Sequence, residues 1–367
     1  MDFRGAVRWV RRTLEPRPRL VDWSILALVV LQLLSGLVSL VTGSEGGWWV
    51  FWAHSVAGLT LTFLLVFKLY RVRRRVTDSR LWTRSTALSV LLAIVALSAL
   101  GTGIAWVLGG DVDVLYWGLM NVHILFGLLL LPLVLLHMTT RFRRPRTADF
   151  EGRRTAVQYT ALLVGGAVLF RLQETVNAAL DTAGTTRRFT GSKPVEGSDF
   201  PVTSWVADDP DPVDRETWRL RVGGLVETPL ELTAGDVDTG DTGDVGDGRD
   251  ELRALLDCTS GWYTVQDWQG VRVGDLLDRA GASDEGRWVR FTSVTGYRWS
   301  LPLEEARDAL LATHVGGERL SHGHGAPLRL VAPDRRGFQW VKWVESVEVR
   351  ENQDVGQWLA VMVSGFD

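Results

Sequence analysis

The chain has 367 residues, enough for two domains, with 40 Lys and Arg against 43 Asp and Glu. Residues 1–175 hold 20 basic and 10 acidic residues, a net charge of +10, whereas residues 176–367 hold 20 and 33, a net of −13. The acidic second half excludes a nucleic-acid-binding role, and the single cysteine excludes an intramolecular disulfide. We predict a membrane domain over residues 1–175, a linker and entry loop over 176–215, and a catalytic domain over 216–367.

Five apolar runs in the first half predict transmembrane helices. Four of them approach the ~20 residues that a spanning helix needs, and the fifth is slightly shorter. A cleavable signal peptide would account for one such run but not for five. The runs cover residues 23–41, 49–70, 86–108, 117–139 and 155–172.

The charges of the connecting segments predict the orientation in the membrane. Arginines gather before the first run, between the second and third, and between the fourth and fifth, whereas the other two loops carry Glu45 or the pair Asp111 and Asp113. Cytoplasmic loops of membrane proteins hold the excess of Lys and Arg. We therefore expect a five-pass, all-α domain in the cell membrane, in contact with membrane lipid. Its N-terminus is expected in the cytoplasm and the catalytic domain on the external face.

Two histidines occupy matching positions in the second and fourth runs. His54 and His123 begin these runs, which cross in the same direction, so both imidazoles are expected at similar depth near the external face. Gly58 and Gly127 follow one helical turn later, where a glycine leaves room for a flat macrocycle. A single histidine at a helix end is ordinary, but polar groups inside a membrane are costly and tend to be functional. We take this pair as candidate iron ligands.

A second level of the same pattern is incomplete. His137 lies 14 residues after His123, roughly 21 Å along a helix, and the matching position on the second run is Lys68. The arrangement resembles the di-haem cytochrome b membrane domains, in which two helices each supply histidines about four turns apart. The resemblance implies one haem b between His54 and His123. It leaves His137 and Lys68 as part of a second haem site, as a quinone site, or as side chains that snorkel to the headgroups.

The second half predicts a mixed α+β domain. Its Gly/Asp-rich segment 235–250 indicates a flexible loop in preference to a calcium site, because the EF-hand spacing is missing. Short β-type runs cover residues 218–222, 288–294, 328–331 and 346–350, and helical stretches cover 273–280 and 303–312.

Two motifs in this half hold the residues that suggest chemistry. The first is Leu-Asp-Cys-Thr-Ser-Gly-Trp around Cys258, followed by Trp-x-Gly-Val and a Leu-Leu pair. The second is His-Gly-Ala-Pro-Leu-Arg from His324 to Arg329, with Lys342 thirteen residues after the arginine inside Val-Lys-Trp. A lone cysteine is commonly a small buried hydrophobe, and an isolated Arg or Lys is commonly a surface charge. The combined order, residue types and spacing are specific.

Together the motifs resemble the sulfite oxidase family of molybdopterin enzymes. The resemblance implies that Cys258 binds molybdenum as a thiolate, a soft ligand suited to a transition metal, and that Cys258 and Tyr297 are the catalytic residues. It also implies that Arg329 and Lys342 bind the phosphate of molybdopterin, one as a planar fork and the other as a point charge. His324 would then hydrogen-bond the pterin.

The cysteine turn departs from the sulfite oxidase pattern. Uncharged residues up to Trp262 follow Cys258, where sulfite oxidases carry basic residues that help to bind sulfite. This neutral, aromatic setting is more similar to the exported methionine-sulfoxide reductase branch. The chain also ends soon after Lys342, so we expect no dimer of the sulfite oxidase type.

These observations predict a molybdenum enzyme that exchanges electrons between haem b, the membrane quinone pool and a small external substrate, with reduction of an S-oxide or N-oxide favoured. The first alternative is a sulfite-type dehydrogenase that runs in the oxidative direction. The second is the same catalytic domain on a haem-free anchor, and the third is a metal-free binding protein, against which the intact Cys258 argues. Optical spectra and metal analysis distinguish these possibilities.

A molybdopterin domain should cross the membrane already folded, which is the task of twin-arginine export. The fifth apolar run follows the pair Arg153 and Arg154, and paired arginines before a short apolar stretch form such a signal. The positive-inside rule explains the same pair without export. Under the export hypothesis, exchange of both residues for lysine keeps the charge and should abolish an active, metal-loaded domain outside the cell. An external active domain in that variant would leave charge alone as the explanation.

Overall fold

The computed structural model describes residues 16–114, 117–141, 144, 146, 151–205, 207–239 and 249–365. The chain divides into two compact units, Met1–Lys193 and Pro194–Asp367. This division falls inside the segment that the sequence suggested as a linker. Most of the basic segment before the first helix, and the middle of the Gly/Asp-rich segment, lie outside the described residues.

Among its described residues, the first unit contains five helices that are long and apolar enough to cross a membrane. Many of their leucines and valines are exposed, which suits contact with lipid tails better than contact with water. A two-stranded hairpin, Asp113–Val114 (β1) and Trp117–Gly118 (β2), connects the third helix to the fourth. The helices are Pro18–Val41 (α1), Trp48–Thr77 (α2), Arg84–Val107 (α3), Leu119–Arg141 (α4) and Arg153–Leu180 (α5).

The fifth helix is longer than the sequence predicted. Its apolar run ends at residue 172, yet α5 continues for about two more turns to Leu180. In this extension the buried Asn177 donates its side-chain amide to the carbonyl of Val107 at 2.9 Å and so satisfies an acceptor at the end of α3. Hydropathy marks the part of a helix that suits lipid, and therefore underestimates a helix that continues as a polar segment.

Small residues and small apolar clusters join these helices. Val21 of α1 packs with Leu64 of α2 and Leu162 of α5. A Cβ added to Gly166 of α5 would lie 3.0 Å from the carbonyl oxygen of Val56 in α2, so the two backbones approach closely, as small residues allow in membranes. Helix α4 packs against α3 and α1. The two helices that carry the paired histidines therefore belong to one bundle.

The second unit consists of two sheets with helices around one hydrophobic core, which confirms the predicted α+β class. The strands are Lys193–Pro194 (β3), Arg219–Gly224 (β4), Leu230–Thr233 (β5), Asp250–Asp257 (β6), Trp262–Arg272 (β7), Trp288–Ser293 (β8), Arg298–Pro302 (β9), Leu310–Val315 (β10), Glu318–Arg319 (β11), Arg329–Val331 (β12) and Val344–Arg350 (β13). The helices are Ala234–Thr239 (α6), Val273–Ala280 (α7), Leu303–Asp308 (α8) and Gln357–Val363 (α9).

The strand order places the two sequence motifs in the same sheet. In this sheet β10 pairs with β7, β11 and β12, and β6 pairs with β7, all antiparallel. The other sheet has the order β5-β4-β13-β8-β9, with β4 and β13 parallel. The cysteine motif follows β6 and the arginine of the second motif begins β12, so β7 and β10 connect them.

The structure corrects one predicted helix and confirms another. Helix α7 has the predicted bounds, because its apolar residues follow one amphipathic face. The helix predicted over 303–312 ends at Asp308, and Leu310–Val315 is instead a strand in which every residue is buried. A continuous apolar run lacks the alternation that separates a strand from a helix. The hairpin of β6 and β7 was not predicted, although part of β7 alternates between buried and exposed residues.

Candidate functional site

The turn between β6 and β7 presents the only cysteine of the chain. The N–H of Cys258 donates to the Trp262 carbonyl at 2.9 Å, and the Gly261 N–H donates to the Cys258 carbonyl at 3.1 Å. Gly261 has a φ of 98°, a conformation that favours glycine. The Ser260 N–H points at the sulfur at 3.5 Å. The turn therefore holds a buried thiol beside a backbone donor that suits a thiolate.

A buried arginine and a half-buried lysine lie beside this turn. Arg329 is 4% exposed, and its Nη1 donates to the His324 carbonyl at 3.0 Å. Its Nε has no hydrogen-bond partner among the described residues. Lys342 Nζ donates to the Gly323 carbonyl at 2.8 Å and to Ser204 Oγ at 3.0 Å. An unsatisfied donor on a buried guanidinium is costly and indicates a missing acceptor.

Gly325 allows the two cationic side chains to come together. A Cβ at this position would lie 3.1 Å from the Cβ of Lys342 and 3.2 Å from the Cβ of Arg329, and its φ of 107° favours glycine. The Leu330 N–H donates to the Val341 carbonyl at 2.8 Å, so the chain returns to lie beside β12. The thirteen-residue spacing between Arg329 and Lys342 is thus the length of the loop that leaves β12 and comes back beside it.

The charges of this site fit an anionic cofactor. Burial lowers the pKa of Arg329 to about 10. Burial, followed by the charge of Arg329, lowers the pKa of Lys342 to about 7. Buried like charges disfavour one another, whereas a phosphate would stabilise both through charge-assisted hydrogen bonds. The charge of Cys258 also raises both pKa values. The residues therefore fit a cofactor that bears a phosphate and a thiolate-bound metal.

Tyr297 belongs to the same cluster. Its buried hydroxyl donates to the Phe338 carbonyl. Burial raises the pKa of Tyr297 well above its usual value, and the charges of Asp208 and Cys258 raise it further. The hydroxyl therefore stays protonated at neutral pH, and it is near enough to Cys258 to interact electrostatically.

The ring of His324 is hydrogen-bonded within the protein. Its Nε2 lies 2.8 Å from the Phe200 carbonyl and its Nδ1 lies 3.0 Å from Ser321 Oγ. Because a carbonyl only accepts, Nε2 carries the proton and Nδ1 accepts from the serine. Both ring nitrogens are engaged by the protein, and a contact of His324 with the pterin stays a prediction. His324 also supports Arg329 through its own carbonyl.

The segment predicted as an entry loop supplies residues that the sequence did not identify. The Phe200 ring lies 4.2 Å from the His324 ring, measured between centroids, and 5.6 Å from the Trp262 ring. Asp208 is buried, accepts from Thr295 Oγ1 at 2.5 Å, and has a pKa raised by burial. Several aspartates follow one another in this segment, so the sequence offers no signal that singles out Asp208.

In the first unit, Met1–Lys193, the rings of the two predicted iron ligands face each other. The rings of His54 and His123 are 6.2 Å apart between centroids. His123 Nδ1 donates to the Ala99 carbonyl at 2.9 Å, and His54 Nδ1 lies 2.8 Å from Ser35 Oγ. The proton on Nδ1 of His123 leaves its Nε2 free to bind a metal. A metal held between two imidazole nitrogens by bonds of about 2 Å separates the ring centres by about 6 Å, so this pair fits an iron with two histidine ligands.

The glycines around this pair are partly different from those predicted. The space around Gly127 is open, with no atom within 4 Å of an added Cβ, but a Cβ at Gly58 would meet the amide of Gln32 at 3.0 Å. Gly103, which the sequence did not suggest, leaves room for the His123 ring, because a Cβ there would lie 2.9 Å from its Cε1. The register between α3 and α4 creates this contact, and the sequence alone does not define that register.

The possible second haem site, one level further along the same helices, contains one histidine, His137, and an ion-paired lysine, Lys68. His137 Nδ1 lies 3.4 Å from Ser89 Oγ. Lys68 Nζ lies 2.6 Å from a carboxylate oxygen of Asp22, which Arg71 also contacts at 3.2 Å. The charge of Lys68 is therefore neutralised within its own bundle. The described residues of this level show no second histidine that would complete a haem site.

Comparison with known proteins gives matches to the second unit. A family model described as "Oxidoreductase molybdopterin binding domain" matches residues 207–358. The uncharacterized oxidoreductase YuiH of Bacillus subtilis is 33% identical over 162 residues, which cover 43% of this chain and 78% of YuiH. MsrP of Xanthomonas axonopodis pv. citri, the catalytic subunit of a protein-methionine-sulfoxide reductase, is 30% identical over 158 residues. These cover 38% of this chain and 47% of MsrP, so this chain spans about half of that relative.

Solved structures also match part of the chain. The sulfane dehydrogenase SoxCD from Paracoccus pantotrophus is 28% identical, with a TM-score of 0.35 over 39% of this chain and 40% of that chain.

We expect sulfate to raise the melting temperature of the cofactor-free, full-length protein more at about pH 6 than at about pH 8.5. The pKa of Lys342 is lowered to about 7 by burial, so this lysine is charged at the lower pH and mostly neutral at the higher. A bound anion favours the charged form, so the stabilisation should decrease as the pH rises through 7. Thermal unfolding at both pH values, with sulfate titrated against chloride, measures the effect.

Sulfate also stabilises proteins by exclusion from their surface, and the controls separate this contribution. In Lys342→Met, sulfate should raise the melting temperature only by the amount that does not depend on pH. Lys193→Met, which removes a buried lysine of the membrane unit, should behave like the parent. An equal sulfate effect at both pH values in the parent would contradict the anion site.

Proposed function

Because this chain belongs to the sulfite oxidase family of molybdopterin-binding oxidoreductases, we propose that it is a membrane-bound enzyme that reduces small S-oxides or N-oxides at its second unit. The observation that carries the proposal is the grouping of Cys258 with two cations, the buried Arg329 and the half-buried Lys342, and with the protonated Tyr297. The cofactor supplies two-electron and oxygen-atom chemistry, and the side chains bind it and manage protons.

Each residue of the group has a chemical role under this proposal. Cys258 is the thiolate ligand of the metal. Arg329 offers its unpartnered Nε to the phosphate as part of a planar fork, and Lys342 adds a point charge. Tyr297 holds a proton at its hydroxyl oxygen close to the cysteine. Reduction of an S-oxide consumes two electrons and two protons and releases a sulfide and a water molecule.

The uncharged residues that directly follow the cysteine favour a neutral substrate. Thr259, Ser260 and Gly261 follow Cys258, and the ring of the next residue, Trp262, packs near that of Phe200. An S-oxide or N-oxide has a polarised oxygen but no net charge, so it needs no basic anion site. The relative MsrP is named as a methionine-sulfoxide reductase, which also supports this substrate class over sulfite oxidation.

We expect Cys258→Ser to abolish turnover per molecule of protein, with a loss of at least about 1000-fold, because a serine hydroxyl is a hard and mostly protonated ligand. The side chains are nearly isosteric, so the melting temperature of the cofactor-free protein should change little. Reduction of a sulfoxide by the full chain with an artificial electron donor measures the effect. Ser260→Ala in the same turn is the control and should keep activity. Substantial activity in Cys258→Ser would refute the molybdenum assignment.

For the membrane unit, we propose one haem b between His54 and His123. Three features support it: the 6.2 Å ring separation, the hydrogen bond that leaves Nε2 of His123 unprotonated, and the open space at Gly127. Haem iron with two protein ligands suits electron transfer. Quinol in the membrane would supply the electrons, with His137 as a candidate residue of the quinone site. Five apolar helices are compatible with this location, and the charge pattern favours an external catalytic domain.

We expect His54→Ala and His123→Ala each to remove the low-spin haem spectrum, because both ligands serve one iron. His137→Ala is the matched control on α4, and it should leave the spectrum intact. Optical spectra of the purified proteins, normalised to protein content, measure this. A normal low-spin spectrum in either of the first two variants would disprove the paired-ligand arrangement.

A further inference from the structure

A third cation contacts the cysteine turn but is separate from the phosphate-binding pair. Arg336 is 4% exposed. Its Nη1 forms an ion pair with Asp257 at 2.7 Å, and its Nη2 donates to the Cys258 carbonyl at 3.2 Å. Asp257 ends β6 and Cys258 follows it directly. One planar guanidinium therefore spans two successive residues of the turn that presents the thiol.

The residues after Arg336 contact the same group. A Cβ at Gly337 would lie 3.2 Å from the Cα of Cys258, so this backbone passes directly beside the cysteine. The Phe338 carbonyl accepts the hydroxyl of Tyr297. The Arg336 N–H donates to Gln339 Oε1 at 3.0 Å, which holds the segment in a tight turn. Three consecutive residues thus hold both Cys258 and Tyr297.

We propose that Arg336 is a positioning residue that orients Cys258 toward the metal. It acts through the cysteine carbonyl, with Asp257 as the counter-charge that makes burial of the guanidinium tolerable. The proposal rests on the proposed function, because it takes Cys258 as a metal ligand. Groups that orient a metal ligand in this way typically change metal affinity or activity about 10–100-fold when they are replaced.

The neighbouring arginine provides a matched control. Arg335 pairs with Glu305, with Nη2 lying 2.5 Å from Oε2, and its side chain is 28% exposed. Replacement of either arginine by lysine keeps the charge and removes the planar fork. Only Arg336→Lys should change the cysteine turn, because a lysine reaches Asp257 or the Cys258 carbonyl but does not bridge them. Arg335→Lys should change neither of these two contacts.

The test uses the fact that Cys258 is the only cysteine of the chain. Iodoacetamide added to the cofactor-free, full-length protein therefore reports on this thiol alone. We expect Arg336→Lys to raise the alkylation rate on the order of tenfold, because a loosened turn opens more often. Arg335→Lys should react at the parent rate. Circular dichroism and the melting temperature confirm that each variant is folded. If Arg336→Lys does not fold, Asp257→Asn removes the counter-charge with little change of shape and takes its place.

The molybdenum-loaded proteins give the second measurement. Arg336→Lys should alter the electron paramagnetic resonance signal of partly reduced molybdenum and lower kcat per molybdenum about tenfold, with KM nearly unchanged. Unchanged alkylation together with an unchanged signal would overturn the positioning role, even if the melting temperature fell. Failure of the parent to bind molybdenum would instead refute the proposed function, and the alkylation rates would still decide whether Arg336 orients the thiol.

Discussion

The second unit is organised around two positive charges that lie close together, one buried and the other half-buried. Removing a charge from water costs several kcal/mol unless a partner compensates it, and Arg329 and Lys342 also repel each other. Their lowered pKa values, about 10 and about 7, express this cost. The fold holds both in place through the glycine between them and through backbone carbonyls. Because an anion relieves this penalty, binding of the cofactor and stability of the unit are linked.

The same means of orientation recurs at the candidate sites of both units. His123 donates to the Ala99 carbonyl in the membrane unit, and in the second unit Arg329 donates to the His324 carbonyl. Tyr297 and Arg336 also donate to main-chain carbonyls. Main-chain acceptors move less than side chains, so they fix donor direction at little cost in entropy. Their positions depend on how segments distant in sequence pack together.

This dependence explains which features the sequence predicted. The five membrane helices, the α+β class and the grouping of Cys258 with Arg329 and Lys342 follow from hydropathy, composition and motif spacing. The strand Leu310–Val315 was not predicted, because a strand that is buried on both faces shows no alternation of apolar and polar residues. The scaffold role of His324 was also not predicted, because its partner Phe200 lies 124 residues away in sequence. Residue type predicts what a side chain can bind, but only packing decides whether its atoms are already engaged.

The second motif shows how binding and supporting residues are interleaved. Arg329 and Lys342 present charge to the site. His324 and Gly325, which precede both in sequence, instead hold the backbone in place. The return of the chain from β12 brings Arg336 to the cysteine turn before it reaches Lys342. A single loop therefore contacts Cys258 and carries Lys342. A displacement of this loop would disturb both at once, so ligand geometry and anion binding are expected to vary together when it is altered.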